Sequence, residues 1–337
     1  AWITFGLTHP RGSTAYPILV IRGGQGVGKT ILSNSVLRKL IDNNSAGVQL
    51  FPKHIKDMVI SSLHQYVLIY DNVRSFTKAW SDALCVMSTS GSLGGRRLYT
   101  DAEESLLQVH SLVVLNGIHP FGKEPDLASR SINIQLVELD ASTRREESEI
   151  NQDLEDKLPS IFRGLLDLCA RILALESSVT SFRKERLTSF SRWIATMEKV
   201  LDLPTGKLQK IYSRNVRASM LETLQDNTLG MTLLNFAANL PEGHWIGTPT
   251  KLLDRLEELV PQRVTYRQTE WPQNPIALSK RLKPLTVAFK SQGLDILFSH
   301  STHRQIEVTY TPLKYGEDLS NSTNSTNSPS APDKSTP

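Results

Sequence analysis

Cysteine is nearly absent from this chain, with two in 337 residues, Cys85 and Cys169. Both lie in apolar, helix-like surroundings and neither falls in a metal-ligand spacing. A disulfide framework and a cysteine metal site are thereby argued against, and buried thiols in a reducing compartment, the cytoplasm, are expected. No apolar run is long enough to span a bilayer, so no membrane partner is expected, and no secretory leader opens the sequence. Nor is there a large excess of one charge: 38 Lys and Arg against 34 Asp and Glu leave a net +4. The chain as a whole is therefore not a polybasic coat for nucleic acid, and only the distribution of charge can argue for such a partner. What remains is the composition of a soluble globular protein, long enough for roughly two or three domains. The first residue is Ala1 rather than Met, and Trp2-Ile3-Thr4-Phe5 resembles the end of a helix, so a longer protein is expected.

Against these absences stands one dense motif. Gly23-Gly24-Gln25-Gly26-Val27-Gly28-Lys29-Thr30 reads G-x-x-x-x-G-K-T and follows the apolar run Pro17-Ile18-Leu19-Val20-Ile21. A strand, a glycine-rich loop and a helix to about residue 41 are predicted. The glycines let backbone N–H groups turn inward around phosphate oxygens. Lys29 adds a point charge at the β- and γ-phosphates, and Thr30 a hydroxyl ligand for Mg²⁺. ATP with Mg²⁺ is the cofactor this pattern predicts.

Further apolar runs at 48–50, 66–70, 112–115 and 131–137 read as strands, separated by helical patterns at 52–63 and 76–88. Strands alternating with helices predict an α/β fold with a mostly parallel sheet covered on both faces. From 143 to about 225 the apolar residues recur at helix spacing without strand signal, as an all-helical domain or lid would. Residues 229–310 predict three helices followed by a strand–turn–strand, the order of a winged helix. The expected organisation is a nucleotide-binding core over 1–140, a helical domain over 141–228 and a winged-helix domain over 229–312. A Ser/Asn/Thr/Pro-rich tail over 313–337 should be disordered.

A phosphate cradle needs a metal-holding acid at the tip of a neighbouring strand. Asp71 follows the 66–70 run in that position, although a strand-ending aspartate can also simply start a turn. Asn72 comes next; its amide can orient water but cannot take a proton. Asn116 ends the 112–115 run and could hold the attacking water or the γ-phosphate. Arg130, just before the last strand, reads equally as a surface salt-bridge partner or as a guanidinium that reaches a neighbouring subunit's nucleotide. Between these lies a glycine-rich stretch with Arg96 and Arg97 before a predicted hairpin. It could bind phosphates of nucleic acid or nucleotide, or be a flexible turn with solvated charges.

Charge is concentrated near the carboxyl end. Lys280, Arg281, Lys283 and Lys290 fall along one predicted helix, and His300, His303 and Arg304 in the turn of the hairpin. Ala277, Leu278, Leu282, Leu285 and Phe289 form an apolar stripe that leaves the cations facing outward. A basic helix followed by a hairpin is how winged helices straddle a DNA groove, while a solvated face on a protein-binding domain is the alternative. Pro284 is expected to kink this helix.

The motifs follow one another at about 45, 25 and 20 residues: the phosphate loop, strand-Asp71-Asn72, the Ser/Gly stretch with Arg96-Arg97-Leu98-Tyr99, and strand-Asn116, then Asp126-Leu127 and Arg130. In this order, over roughly residues 15–140, the chain resembles the AAA+ ATPase module of superfamily 3 helicases. The poxvirus- and phage-type primase-helicases of viruses, plasmids and integrated elements are the nearest likeness. The resemblance implies a five-stranded sheet ordered 5-1-4-3-2 and a hexameric ring around DNA. It makes Lys29 and Thr30 the Walker A residues, Asp71 Walker B, Asn116 the sensor and Arg130 the arginine finger. Arg96 and Arg97 match the basic residues before a hairpin that enters the pore. Two departures stand out: Asn72 replaces an acid found in some relatives, and the hairpin tip Asp101-Ala102-Glu103-Glu104 is acidic. The pore contact is then expected from Arg96, Arg97 or His110. The function implied is an ATP-dependent DNA helicase or replication initiator, alone or with an upstream primase domain. The alternative is a nucleotide-gated DNA-binding and assembly ATPase with little unwinding; a small-molecule P-loop kinase ranks below both.

Overall fold

The computed structural model describes residues 1–75, 77–96, 104–118, 124–181, 185–261, 271–299 and 304–312. The expected tail over 313–337, Arg97, His300, His303 and hairpin residues Asp101, Ala102 and Glu103 lie outside the described residues.

Five short apolar runs form one parallel sheet. They are β1 (Ile18–Arg22), β2 (Gln49–Leu50), β3 (Val67–Val73), β6 (Leu112–Gly117) and β7 (Ser131–Gln135). Their spatial order is β2-β3-β6-β1-β7, and every neighbouring pair is parallel. Alternate residues of the central strands feed two different cores. Leu19, Ile21, Val67, Ile69, Leu112 and Val114 point to one face; Ile18, Val20, Leu68, Tyr70, Val113 and Leu115 point to the other. Both faces are covered, which is why these strands are apolar throughout rather than alternating with polar residues. On the second face, α3 (Ile55–His64) and α4 (Lys78–Ser88) supply Met58, Val59, Ala83, Leu84 and Met87.

The first face is built differently from the sequence pattern. Trp2–Thr8 is a helix in its own right, α1, and it packs beside α6 (Glu147–Glu176) and against Phe190 and Trp193 of α7 (Thr188–Val200), with α8 (Lys207–Gln225) beside α7. Phe5, Ile172, Phe190, Trp193, Tyr212 and Val216 join the sheet's own residues in a single core. Trp193 Nε1 donates to Thr4 Oγ1 at 3.0 Å inside it. The boundary expected near residue 140 therefore does not separate two cores. The helices from 147 to 225 are one outer layer of the sheet, because their apolar stripes have the bare sheet face to cover.

Both sheet edges are short or occupied. β2 has two residues, with Leu50 78% exposed. At the other edge, Asn215 on α8 presents its amide to β7: Asn133 N donates to Asn215 Oδ1 at 2.8 Å, and Asn215 Nδ2 donates to Asn133 O at 2.6 Å.

Between α4 and β6 the chain makes an antiparallel hairpin, β4 (Gly91–Arg96) with β5 (Glu104–Val109), in which Arg96 pairs with Glu104. Only His110 and Ser111 separate β5 from β6.

After α8 come α9 (Thr228–Ala238), β8 (His244–Gly247), α10 (Pro249–Glu257), α11 (Pro275–Leu282), α12 (Thr286–Ser291), β9 (Leu294–Ser299) and β10 (Gln305–Tyr310). The strands pair antiparallel in the order β8-β10-β9. The sequence pattern did not anticipate β8, whose four residues are too few to show a period. The helix expected over 275–291 is split: Pro284 has no N–H for the ladder, and a 3₁₀ turn over Lys283–Leu285 separates α11 from α12. Leu233, Leu252, Trp271, Leu278, Phe289, Leu294 and Val308 form the core of this part, together with Ala128, Met220 and Leu224 from the sheet body.

Candidate functional site

The loop after β1 closes tightly because of its glycines. Gly28 has φ +83°, a left-handed conformation that side chains resist. A Cβ on Gly23 would lie 2.7 Å from Val27 Cγ2 and 3.0 Å from Leu136 O, so nothing larger fits against the segment leaving β7. Lys29 folds back over the loop, its ammonium donating to Gly23 O at 2.9 Å and Gly24 O at 2.5 Å. The helix that follows begins as a π-helix over Ile31–Arg38 and continues over Lys39–Ile41.

Thr30 Oγ1 donates to Asp71 Oδ2 at 3.1 Å, bridging the loop and the tip of β3 across β6. The other carboxylate oxygen accepts from Asn72 N at 2.8 Å. Asn72 is exposed at φ +56°, in an irregularity that breaks the β3–β6 register between Tyr70 and Val73. Asparagine tolerates that conformation better than most residues. Among the described residues no three His, Cys, Asp or Glu side chains gather as a metal site. Thr30 and Asp71 nevertheless fit a Mg²⁺ held mainly by phosphate and water: octahedral ligands at about 2.1 Å place neighbouring oxygens about 3 Å apart.

Asn116 is fully buried at the end of β6. Its Nδ2 donates to Ser33 Oγ at 2.8 Å, and Ser33 Oγ donates to Lys29 O at 2.9 Å. The side chain thus braces the helix behind the glycine-rich loop, while its Oδ1 is buried without a partner among the described residues.

A cleft of about 740 Å³ unites these groups. Gln25, Gly26, Val27, Gly28, Lys29, Thr30, Asp71 and Asn72 line it with Ile118, Leu139, Arg144, Arg145, Glu147 and Ile150. The last six were missed in the sequence. Their only signal was Arg144-Arg145-Glu146-Glu147 following the last strand, which reads as an ordinary solvated helix start.

Arg130 lies at the opposite end of the sheet. Its carbonyl accepts from Ile18 N, at the start of β1, whereas the loop leaves the end of that strand, about 16 Å away for five residues. Its side chain is 11% exposed and its Nη1 lies 2.5 Å from Asp126 Oδ2 and 3.7 Å from Cys85 Sγ. Arg186 Nη1 lies 2.5 Å from the other Asp126 oxygen. Burial acts to raise the Asp126 carboxyl, but the hydrogen bonds from Arg130 and Cys85 and the two guanidinium charges hold it below the usual carboxylate range. Burial pushes the Cys85 thiol up to about 12.

His110, expected as a pore contact, is instead buried. Its ring stacks on Tyr16 with centroids 4.0 Å apart, and its Nδ1 accepts from Gly12 N at 2.6 Å. Burial lowers its pKa to about 4. Two short residues between two strands leave the ring nowhere to go but the core. Arg96 closes β4.

The basic residues of the carboxyl-terminal part do not share one outward face. Lys280 and Arg281 line a cleft of about 630 Å³ against the sheet body, together with Lys78, Glu124 and Asp226. The Lys283 ammonium stands over the Phe298 ring at 5.6 Å, Lys290 lies 3.6 Å from Asp295, and Arg304 is exposed just before β10.

Residues 1–222 match the family model described as actinomycete integrative conjugative element replication protein, and residues 229–326 that of the AICE RepA C-terminal domain. This is a replication protein of a mobile genetic element. More narrowly, the chain belongs to the family of replication proteins of actinomycete integrative conjugative elements. No curated protein matches it at a significant level. Among solved structures it is similar to the A form of the apo NrS-1 C-terminal region, at 12% identity and a TM-score of 0.31, covering 91% of this chain and 69% of that one. A second apo structure of the same region matches at 12% identity and a TM-score of 0.30, with the same coverage. No helix among the described residues is long and apolar enough to cross a membrane.

Proposed function

We propose that this protein is an ATP-dependent DNA helicase or replication initiator of its mobile element, working as a ring of copies. The carrying observation is the 3.1 Å contact between Thr30 and Asp71 beside Lys29 in one cleft, the arrangement that a Mg²⁺-nucleoside triphosphate requires. Membership in a replication family supports the biological setting. Counted from β7, the parallel strands run 5-1-4-3-2, which favours an AAA+ core of the superfamily 3 type. Among the described residues, the order α9-β8-α10-α11-α12 followed by the β9–β10 hairpin favours a winged helix.

In this scheme Lys29 exchanges the carbonyls of Gly23 and Gly24 for the β- and γ-phosphates. Thr30 and Asp71 would hold Mg²⁺, whose charge would offset that of the phosphoryl group. Asn72, exposed at the cleft, orients water without accepting its proton, and Asn116 keeps the loop helix in place behind it. Arg130 lies beyond reach of its own loop, so its nucleotide is a neighbour's; to reach it, the guanidinium exchanges Asp126 for phosphate. Arg96, Arg97, Lys280, Arg281, Lys283, Lys290, His303 and Arg304 are the cations assigned to DNA; Lys280, Arg281, Lys283 and Lys290 do not share one face, so DNA contact would draw on more than one surface. An upstream primase domain is a further partner.

A second reading, a nucleotide-gated assembly module with little turnover, is favoured by the amide of Asn72 where a water-activating acid would stand. ATP hydrolysis with and without single-stranded DNA separates the two. Turnover stimulated by DNA and lost in Lys29→Ala supports the motor. ATP binding without turnover, in a protein that still binds DNA, removes it.

A further inference from the structure

The cleft has a second wall that the phosphate-loop motif does not describe. It is contributed by the segment joining β7 to α6, and that segment is firmly built. Leu136 N donates to Arg22 O at 2.7 Å, tying it to the end of β1. Asp140 then caps the turn Ala141–Thr143, its Oδ1 accepting from Ser142 N at 2.9 Å and Ser142 Oγ at 2.8 Å. The turn delivers two adjacent arginines to the cleft, and their circumstances differ. Arg145 is engaged: its Nη1 donates to Asp153 Oδ2 at 3.3 Å, and its Nε lies 3.8 Å from Glu149 Oε2. Arg144 is exposed and has no hydrogen-bond or ion-pair partner among the described residues. Beside it, Leu139 and Ile118 stand 50% and 43% exposed in the same cleft, an apolar surface next to a free cation.

We propose that Arg144 is a nucleotide-binding residue of its own subunit, with Leu139 and Ile118 covering the base. The inference deepens the nucleotide reading above and rests on it. Three features meet in one place: a guanidinium with five donors and no partner among the described residues, a cleft already holding Lys29, Thr30 and Asp71, and apolar side chains left bare. A nucleoside triphosphate has the complementary parts, an anionic chain that arginine binds through charge-assisted hydrogen bonds and a flat apolar base. Arg145 serves as the anchor that fixes the segment to α6, leaving Arg144 directed at the ligand. The sequence alone hides this role because the segment carries no glycine and no motif spacing.

The test is equilibrium titration of the full chain with a fluorescent mant-ATP and Mg²⁺, beside a thermal melt without nucleotide. Arg144→Ala should weaken binding about tenfold, the value of one charge-assisted contact, and leave the nucleotide-free Tm within about 1 °C. Arg144→Lys should restore part of the affinity, and Leu139→Asp should weaken binding by a similar factor. Wild-type affinity in Arg144→Ala, while Lys29→Ala binds poorly, would overturn the assignment and leave the phosphate-loop reading intact. Failure of the wild-type chain to bind mant-ATP at all would overturn both.

Discussion

The two ends of the parallel sheet hold similar residues in opposite conditions. At the amino end, Arg130 and Arg186 clasp Asp126, Cys85 is buried beside them, and His110 lies flat on Tyr16. There the Arg130 and Arg186 charges share one carboxylate, that of Asp126. At the carboxyl end, Lys29 has only the carbonyls of its own loop, Thr30 and Asp71 have each other, and Arg144 has no partner among the described residues. Arg130 is thus a structural group at one end and Arg144 an available one at the other, although Arg22 at the carboxyl end is itself paired with Glu222. The difference follows from topology: in open parallel sheets the loops diverge beyond the carboxyl ends of the strands and leave a crevice there, while the amino ends are closed by connections.

If that contrast is sound, substitutions at the carboxyl end should change binding and spare the nucleotide-free fold, and those at the amino end should do the reverse. The largest effect is expected at Lys29: Lys29→Ala should lose about 100-fold in ATP affinity by titration, because a phosphate-binding charge inside a cleft contributes about 3 kcal/mol. Its Tm without nucleotide should stay within about 1 °C of wild type, and a large drop would break the contrast.

Next comes Arg130→Ala, which should cost about 2 kcal/mol in urea unfolding, Arg186 remaining to hold Asp126. Single-subunit nucleotide affinity should change less than about twofold. A loss of ATP turnover in this variant has two sources, instability and a missing trans contact. Partial recovery on mixing with Lys29→Ala subunits isolates the second, whereas no recovery at matched folded concentration would argue against a trans role.

The pH response sharpens the amino end further. Burial lowers the His110 pKa to about 4, below its value of about 6.5 in an unfolded chain. The unfolded chain therefore takes up the proton first as pH falls. The stability contributed by neutral His110 is complete above about pH 6.5 and is lost progressively towards about pH 4. His110→Gln, which keeps an acceptor for Gly12 N, should flatten the fall of Tm across that window; an unchanged slope would place the dependence elsewhere. The smallest effect is expected for Asn116→Ala, about 1 kcal/mol, since it deletes one buried hydrogen bond and removes an oxygen that has no partner. It is a carboxyl-end residue expected to alter stability, because it faces the loop helix and not the cleft.

The sequence made the sheet legible because the central strands are apolar on both faces. The tight loop after β1 was legible from its glycine spacing, and the placement of Asp71 at a strand tip from a charge ending an apolar run. Arg130 was left open between an ion pair and a finger. The ion pair is present and half enclosed: Arg130 is largely buried, while Asp126 one helical turn earlier and Arg186 from a distant segment keep one side to solvent. His110 and Arg144 were misread or passed over because their surroundings come from Tyr16, Gly12 and the β7–α6 connection, none of which is near in pattern space. The helices over 147–225 looked independent because an amphipathic stripe announces that it must be covered without saying by what.

Asn215 carries one more consequence. A side-chain amide that gives and takes the two hydrogen bonds of Asn133 is a strand one residue long, and it terminates the sheet on that side. The opposite border offers two residues. Neither margin of this sheet can template the addition of another chain, so copies do not fuse edge to edge through it. An assembly that engages this body is built through helices, loops and side chains, contacts that can open and close without unravelling the sheet.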